Sequence, residues 1–218
     1  MKDILKALRW GTRKTVVGLA VLGLVVANSA ADPQPADKVM AVASDVEVMQ
    51  SQSLIGSSST EVTLLHGTMR TSTPADLMIS ITAETGLYTA VTTIGTNDSE
   101  ARAKILVWVE IDGLRVPVSF DSNGDGVFDD PDDGRVVFNN RDFGLSSVNL
   151  LAILTAFERT RSANAFNWVA LNVGAGIHSI VVKARLETTA LSAANSAAAV
   201  GKRVMVVEPT HMANDAII

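Results

Sequence analysis

Residues 103–120, AKILVWVEIDGLRVPVSF, carry the strongest structural signal of the chain. Asp112-Gly113 lies between two runs rich in β-branched residues, and this dipeptide favours a two-residue type I′ turn between antiparallel strands. A turn at this position places Ile111 opposite Leu114 and defines every pair further out. The sequence therefore predicts a β-hairpin with a defined register.

The predicted register gives the hairpin one apolar face and one polar face. The apolar face consists of the pairs Val109–Val116, Val107–Val118 and Ile105–Phe120. The opposite face pairs Glu110 with Arg115, which adds a charge pair, and Trp108 with Pro117. Because Pro117 has no N–H to donate, we predict that its strand lies at the edge of a sheet.

Further strand candidates lie between glycines, Ser-Thr clusters and Pro74. They are residues 61–69, 77–84, 87–94, 135–138 and 203–208, with 39–49 a weaker candidate. A second hairpin is predicted from residues 166–173 and 177–187, and it would place Val169 opposite Val182.

Two stretches depart from the strand pattern. Residues 147–160 carry an approximate apolar stripe with helical spacing, which predicts a crossover helix. Residues 188–200 are rich in Ala and Ser without a clear period, which is typical of a surface loop or a short irregular helix. Many short strands and one helix predict an all-β fold, an antiparallel β-sandwich that is jelly-roll-like with one short crossover helix.

The N-terminal residues 1–31 have the pattern of a cleaved signal peptide, since five basic residues precede an apolar run and small residues follow. An apolar run of about twelve residues is short of the roughly 20 that span a bilayer, which favours removal over a permanent anchor. The protein is therefore expected to be exported, to the periplasm, cell surface or extracellular space. No membrane association is expected after cleavage.

The remaining chain divides into a polar N-terminal segment, residues 32–60, and a single β-sandwich domain, residues 61–218. Removal of residues 1–31 leaves 13 basic and 22 acidic residues, a net charge of −9 that argues against a nucleic-acid partner. The chain has no cysteine, so its stability depends on its core, on metal or on partners. The N-terminal segment either pairs within its own domain or adds to the edge of a neighbouring copy, and an edge strand offers a second route to self-association.

The stretch after the hairpin, residues 121–133, is DSNGDGVFDDPDD and contains six aspartates. Its side-chain oxygens follow the order that a calcium loop needs, and Gly126 permits the sharp turn at the sixth position. This loop resembles EF-hand and dockerin-type calcium loops, over twelve residues only. The resemblance implies that Asp121, Asn123 and Asp125 supply side-chain oxygens and that Val127 supplies a backbone carbonyl. It also implies a direct or water-mediated contact from Asp129 and a closing carboxylate from Asp132.

The acidic loop has a simpler alternative, which is a solvated turn without metal. The closing ligand is Asp132 rather than glutamate, and Pro131 restricts the backbone beside it, while Phe128 would fill the apolar eighth position. Six close aspartates repel one another without a cation, which favours calcium. Magnesium demands stricter octahedral geometry and is the less favoured ion.

Catalytic signatures are mostly missing, so the protein is predicted not to be an enzyme. His66, His178 and His211 are isolated in sequence, and His178 shares an alternation face with apolar residues, which indicates structural roles. Glu84 and Glu110 are the candidate carboxylates for a glycosidase pair, but Glu110 has Arg115 as its predicted partner.

Three functions are consistent with these observations. The leading hypothesis is an exported, non-catalytic, calcium-binding β-sandwich that serves in a surface layer, appendage or extracellular matrix. The second is a calcium-dependent carbohydrate-binding module or adhesin, for which the aromatic candidates are Trp108, Trp168 and Tyr88, although core packing is favoured for both tryptophans. The third is a secreted hydrolase, which would need a polar cleft.

Overall fold

The computed structural model describes residues 36–52, 55–93, 97–146 and 153–212, and every regular element in these ranges is a β-strand. In chain order the strands are β1 (Met40–Ser44), β2 (Val48–Gln52), β3 (Gly56–Thr71), β4 (Ala75–Thr93), β5 (Ser99–Ile111), β6 (Leu114–Arg115), β7 (Val136–Leu145), β8 (Leu154–Val173), β9 (Gly176–Leu191) and β10 (Ala193–Thr210). The predicted signal peptide lies outside the described residues. Within them, no helix has the length and apolar character to cross a bilayer.

The strands form two antiparallel sheets that pack face to face. Sheet A has the order β1-β10-β4-β8, with β2 beside β1 on the same edge of β10. Sheet B has the order β3-β9-β5-β6, with β7 beside β6 on the same edge of β5. The pairs β1–β10, β3–β9, β4–β8 and β5–β7 are nested one inside the next, which is the strand order of a jelly roll. The predicted antiparallel, jelly-roll-like sandwich is confirmed.

The core lies between the two sheets and is built from alternate residues of the long strands. Ile79 of β4, Ile105 of β5 and Val182 of β9 are fully buried there. Trp168 of β8 is also buried, and its ring stacks on that of Phe138 with the centroids 6.3 Å apart. Each fully buried side chain of this size contributes about 1.5–3 kcal/mol of transfer free energy.

The first hairpin has the predicted turn and the predicted first pairs. Ile111 pairs with Leu114, and Asp112 and Gly113 have φ angles of 52° and 85°, both positive as a type I′ turn requires. The register therefore begins as the Asp-Gly dipeptide predicts.

The predicted pair Val109–Val116 is joined by a hydrogen bond from the N–H of Val116 to the carbonyl of Val109 at 3.0 Å, but beyond Val116 the predicted hairpin pairing is wrong. Strand β6 ends after two residues, and β7 occupies the same edge of β5, where Val107 pairs with Val136 and Ile105 with Asn139. β7 pairs nine residues with β5 and so occupies the edge that residues 117–120 would have used. The chain therefore leaves the sheet after Val116, and residues 117–120 lead to the acidic loop.

The second predicted hairpin is wrong, because β8 and β9 lie in different sheets. Val169 pairs with Met78 of β4, and Val182 pairs with Val109 of β5. The link at Gly174 crosses from one sheet to the other. Alternation shows which face of a strand is buried but not which strand lies beside it, and β8 gains a longer ladder by pairing with β4.

The predicted crossover helix is wrong in its described part. Residues 147–152 lie outside the described residues, and residues 154–160 belong to β8, where they pair with residues 87–93 of β4. A short apolar stripe forms a marginal helix by itself, and cross-strand pairing satisfies the same backbone groups.

The Ala-Ser stretch 188–200, expected to be a loop or irregular helix, instead continues β9 and β10 around a turn at Ser192. Its inward positions include Ala190 and Ala194, both buried. Because the outward residues are also small, the period-two pattern is not visible in the sequence.

The N-terminal segment pairs with β10 of the same chain through β1 and β2. The side chain of Arg203, buried on β10, holds their connection by donating to the carbonyls of Val46 at 2.6 Å, Gly201 at 2.8 Å and Leu64 at 3.0 Å. Burial lowers the pKa of Arg203. Exchange of this segment between copies stays a prediction.

Candidate functional site

The acidic loop, residues 121–133, is anchored to the sandwich through its C-terminal end. Asp132 Oδ1 accepts hydrogen bonds from the backbone N–H groups of Val118 at 2.7 Å and Gly134 at 2.9 Å. The carbonyl of Gly134 accepts a hydrogen bond from Nε1 of the buried Trp168 at 3.0 Å. Asp132 and Gly134 therefore connect the loop to the buried Trp168 through successive hydrogen bonds.

Inside the loop, side-chain oxygens bend the backbone around two glycines. Asp121 Oδ1 accepts from the N–H groups of Gly124 at 2.7 Å and Asp125 at 3.0 Å, and its Oδ2 accepts from Gly126 at 2.9 Å. Asn123 Oδ1 accepts from the N–H of Asp125 at 2.8 Å. Gly124 and Gly126 have φ angles of 76° and 84°, which side chains rarely adopt. Asp121, Asn123 and Asp125 are thus gathered within one turn.

Asp130, which is absent from the ligand set implied by the calcium-loop resemblance, closes this turn. Its Oδ2 accepts hydrogen bonds from Ser122 Oγ at 2.9 Å and from the N–H of Asn123 at 3.0 Å. A β-bridge joins Asp130 to Asp121. Asp132, the closing ligand that the resemblance implies, faces the sandwich instead. The sequence signal that could have identified this position is the dipeptide Asp130-Pro131, which favours a turn.

The tip of the loop is solvent-exposed. Asp129 and Val127 lie there, and Phe128 is 48% exposed, so Phe128 does not fill the apolar position expected of it. Among the described residues, no three histidine, aspartate or glutamate side chains are arranged to hold a metal ion. An ionised carboxylate offers about four lone-pair sites, so hydrogen bonding to N–H groups leaves the loop aspartates further oxygen capacity for a cation.

A groove with a volume of about 440 Å³ crosses the outer face of sheet A. Two rungs of paired residues run across it from β2 to β8, and they are Met49–Ala199–Gly86–Arg161 and Ser51–Ala197–Tyr88–Arg159. Cross-strand partners point to the same face of a sheet. Gly86, Ala197 and Ala199 of the two central strands therefore form the floor of the groove with Tyr88 beside them, and β8 supplies two arginines along one side.

The side chains that line this groove are apolar, aromatic and charged. Tyr88 is 38% exposed, in contrast to Trp108 and Trp168, which are buried as predicted. Glu47 and Glu84 are the acidic residues of the lining. The outer face of sheet A therefore has a concave surface that combines apolar side chains with a few charged groups, as ligand-binding sites commonly do.

Part of the outer face of sheet B is covered by an ion network. The carboxylate of Glu110 accepts from Trp108 Nε1 at 2.9 Å and forms an ion pair with Lys183 Nζ at 2.8 Å, while Arg115 and Arg135 lie over the Trp108 ring. Burial raises the pKa of Glu110, but the hydrogen bonds from Lys183 and Trp108 outweigh it, and the pKa is lowered overall. Arg115 is the cross-strand neighbour of Glu110, as predicted. Its guanidinium group lies over the Trp108 indole rather than forming an ion pair with Glu110.

Glu84 and Glu110, the carboxylates considered as a glycosidase pair, lie on opposite outer faces of the sandwich. Glu84 belongs to the groove on sheet A, and Glu110 belongs to the network on sheet B. Glycosidic carboxylates must flank one bond at distances of about 5–10 Å. These two residues cannot act on the same substrate bond.

His178 is a partly buried residue at the end of β9, on the face that the alternation predicts. Its Nδ1 lies 2.7 Å from Asp112 Oδ2, and its Nε2 lies 2.8 Å from the carbonyl of Gly174. Burial lowers the pKa of His178, but the hydrogen bonds to Asp112 and Gly174 outweigh it and raise the pKa overall. The same contact with His178, together with the N–H of Ser179, lowers the pKa of Asp112. The pair joins the first hairpin turn to the crossing between the sheets.

The pair of His178 and Asp112 is expected to stabilise the fold most in weakly acidic solution. Because the folded state raises the pKa of His178, its contribution is complete below about pH 6.5 and is lost as pH rises through the folded value. The contribution of Asp112 is lost at the other end, as pH falls below about 4. We expect the difference in unfolding free energy between the wild type and His178→Gln to shrink from about pH 5.5 to 8.5, measured by urea denaturation. His66→Gln is the control, and an equal shrinkage there would contradict the assignment.

Comparisons with known proteins add little to these observations. No family model matches the sequence, and no curated protein is similar to it. A chain from a structure of the infectious bursal disease virus Gx strain is 13% identical to this one, with a TM-score of 0.24. The match covers 85% of this chain and 40% of the viral chain. A likeness of this strength carries no argument, so the fold assignment rests on the strand order.

Proposed function

We propose that this protein is an exported, non-catalytic β-sandwich component of a cell surface, appendage or extracellular matrix, and that calcium stiffens its acidic loop. The observation that supports calcium best is the single turn that brings Asp121, Asn123 and Asp125 together around two glycines, with Asp130 bridged to Asp121. Hard carboxylate and amide oxygens are the ligands that calcium prefers. Bound calcium would offset the repulsion among the aspartates and order the connection from β6 to β7.

Calcium titration calorimetry and thermal melting test this proposal. We expect heat of calcium binding, and calcium at about 100 times its dissociation constant should add roughly 2.7 kcal/mol to the unfolding free energy. Asp121→Ala and Asp125→Ala should abolish both effects. Asp142→Ala, which removes an exposed aspartate of β7, should change neither.

The closing ligand is tested by comparing Asp130→Ala with Asp132→Ala. If Asp130 completes the site, its variant should lose calcium heat, whereas Asp132→Ala should weaken the anchoring of the loop and lower stability without calcium as well. A wild-type protein with no calcium heat and no response to chelator would refute the calcium site and leave a bare acidic turn.

A second candidate function is glycan binding, favoured by the groove on sheet A and its exposed Tyr88. An aromatic ring at a polar surface offers a flat apolar face beside hydrogen-bonding groups, which is how proteins commonly contact sugar rings. This function is compatible with the first, because a matrix or surface component can bind polysaccharide.

A further inference from the structure

The two arginines of the sheet A groove, Arg159 and Arg161, have no acidic partner among the described residues, in contrast to Arg102, Arg135, Arg141 and Arg185. On sheet B, Arg102 pairs with Glu100, and Arg135 pairs with Asp133 at 3.2 Å. Within the described part of the chain, neither Arg159 nor Arg161 forms an ion pair or hydrogen bond through its side chain. The groove therefore presents two guanidinium groups whose donors are available to a ligand.

The spacing of these arginines suits a chain that lies along β8. Arg159 and Arg161 are two residues apart on one strand and point to the same face, so their Cα atoms are separated by roughly 6.6 Å. A guanidinium group binds a carboxylate with two parallel hydrogen bonds, which gives orientation as well as energy. Two such groups in a row favour a flexible anionic chain over a single small anion.

The rest of the groove favours sugar rings between these charges. Tyr88 is the cross-strand neighbour of Arg159, and Phe157, 71% exposed, is the next outward residue along β8. Together they offer apolar faces to the C–H surface of a pyranose. Glu47 and Glu84, the two carboxylates of the groove, also lack an ion pair in the described residues, and they supply acceptors for hydroxyl groups. A ligand with both hydroxyl and carboxylate groups matches this combination.

The groove is also open enough for a polymer. It spans four strands, β2, β10, β4 and β8, and three inter-strand spacings give it a width of roughly 14 Å. Its floor contains Gly86, Ala197 and Ala199, and Tyr88 is the large side chain that the central strands add. A saccharide chain that lies along β8 therefore has room beside the two arginines and over Tyr88.

We propose that the outer-face groove of sheet A binds an acidic polysaccharide, with Arg159 and Arg161 on its carboxylates and Tyr88 under a sugar ring. The proposal deepens the glycan-binding candidate by naming the class of glycan. It does not involve the acidic loop, so it stands or falls independently of the calcium site.

The test is titration calorimetry with two saccharides of equal length, α-1,4-linked trigalacturonate and α-1,4-linked galactotriose, both in EDTA. The chelator removes calcium, which would otherwise bridge the acidic saccharide to carboxylates. We expect trigalacturonate to bind at least about tenfold more tightly than the neutral trimer, and its affinity to fall with rising salt. The double variant Arg159→Gln/Arg161→Gln should remove this preference, and Tyr88→Ala should weaken the binding of both saccharides.

Two control variants separate this site from general effects. Arg102→Gln removes an exposed arginine from sheet B, and Asp121→Ala disrupts the acidic loop; neither should change trigalacturonate affinity. Circular dichroism and melting of each variant confirm that it is folded.

Three results would overturn the proposal. The first is no trigalacturonate binding by folded wild-type protein. The second is equal affinity for the neutral trimer, which would remove the carboxylate assignment. The third is concentration-dependent self-association that Tyr88→Ala or the double arginine variant abolishes, which would assign the groove to a second copy of the chain.

Discussion

Gly134→Ala should lower the free energy of unfolding by about 4 kcal/mol, because two costs coincide at this residue. Gly134 has a φ of 66°, where a side chain costs about 1–2 kcal/mol. A Cβ there would also lie 2.2 Å from the carbonyl oxygen of Val116, which is backbone and cannot rotate away. The movement needed to relieve this clash would break the hydrogen bond from Trp168 to the Gly134 carbonyl.

Urea denaturation followed by tryptophan fluorescence measures this effect, since Trp168 reports on the affected contact. Gly113→Ala is the matched control, because Gly113 has a φ of 85° but no atom lies within 4 Å of the position that its Cβ would take. It should cost only about 1–2 kcal/mol. If both variants lose the same stability, the close approach of Val116 is not responsible and the anchoring of the acidic loop has to be revised.

Arg203→Met should lower the free energy of unfolding by about 2–4 kcal/mol, since it leaves one buried and two partly buried carbonyl groups without their donor. The guanidinium group serves the carbonyls of Val46, Leu64 and Gly201, which belong to three different segments. Methionine fills similar space without a donor, so packing is largely kept and the polar loss is isolated. Arg203→Lys should be intermediate, because a single ammonium group cannot reach all three oxygens.

The control for this substitution is Arg102→Met, in which an exposed arginine with surface ion pairs is removed. We expect a change within about 0.5 kcal/mol. Hydrogen exchange adds a second measurement, because loss of Arg203 should reduce protection in β1 and β2 more than in β5. A stable Arg203→Met protein with unchanged exchange would show that the N-terminal strands are held by their ladders alone.

Local chemistry predicted a large part of this fold. The Asp112-Gly113 turn follows from two positive φ angles that this dipeptide tolerates, and the buried face of β5 follows from period-two alternation. Alternation failed for residues 188–200, where inward and outward residues are equally small. The helical pattern of residues 154–160 was overridden, because these residues pair as a strand with β4.

The candidate sites were also only partly predictable from the sequence. The acidic loop was visible as a continuous stretch, but the sequence did not show that Asp132 faces the sandwich while Asp130 faces Asp121. Of the outer-face groove, only Tyr88 and Glu84 were candidate site residues in the sequence, and the sequence did not place them in one site. The residues of the groove come from four separate parts of the chain and carry no common motif.

The all-β class, the first turn and the composition of the acidic loop follow from the sequence, because backbone propensity and side-chain alternation act over a few neighbouring residues. The choice of partner strands arises from tertiary pairing, which places β8 and β9 in different sheets although one short link joins them. Each strand has two edges that hydrogen-bond equally well to any extended chain, so the long ladders of the nested jelly roll select the partners. That selection aligns Gly86, Ala199 and Arg161 in one rung and so creates the groove.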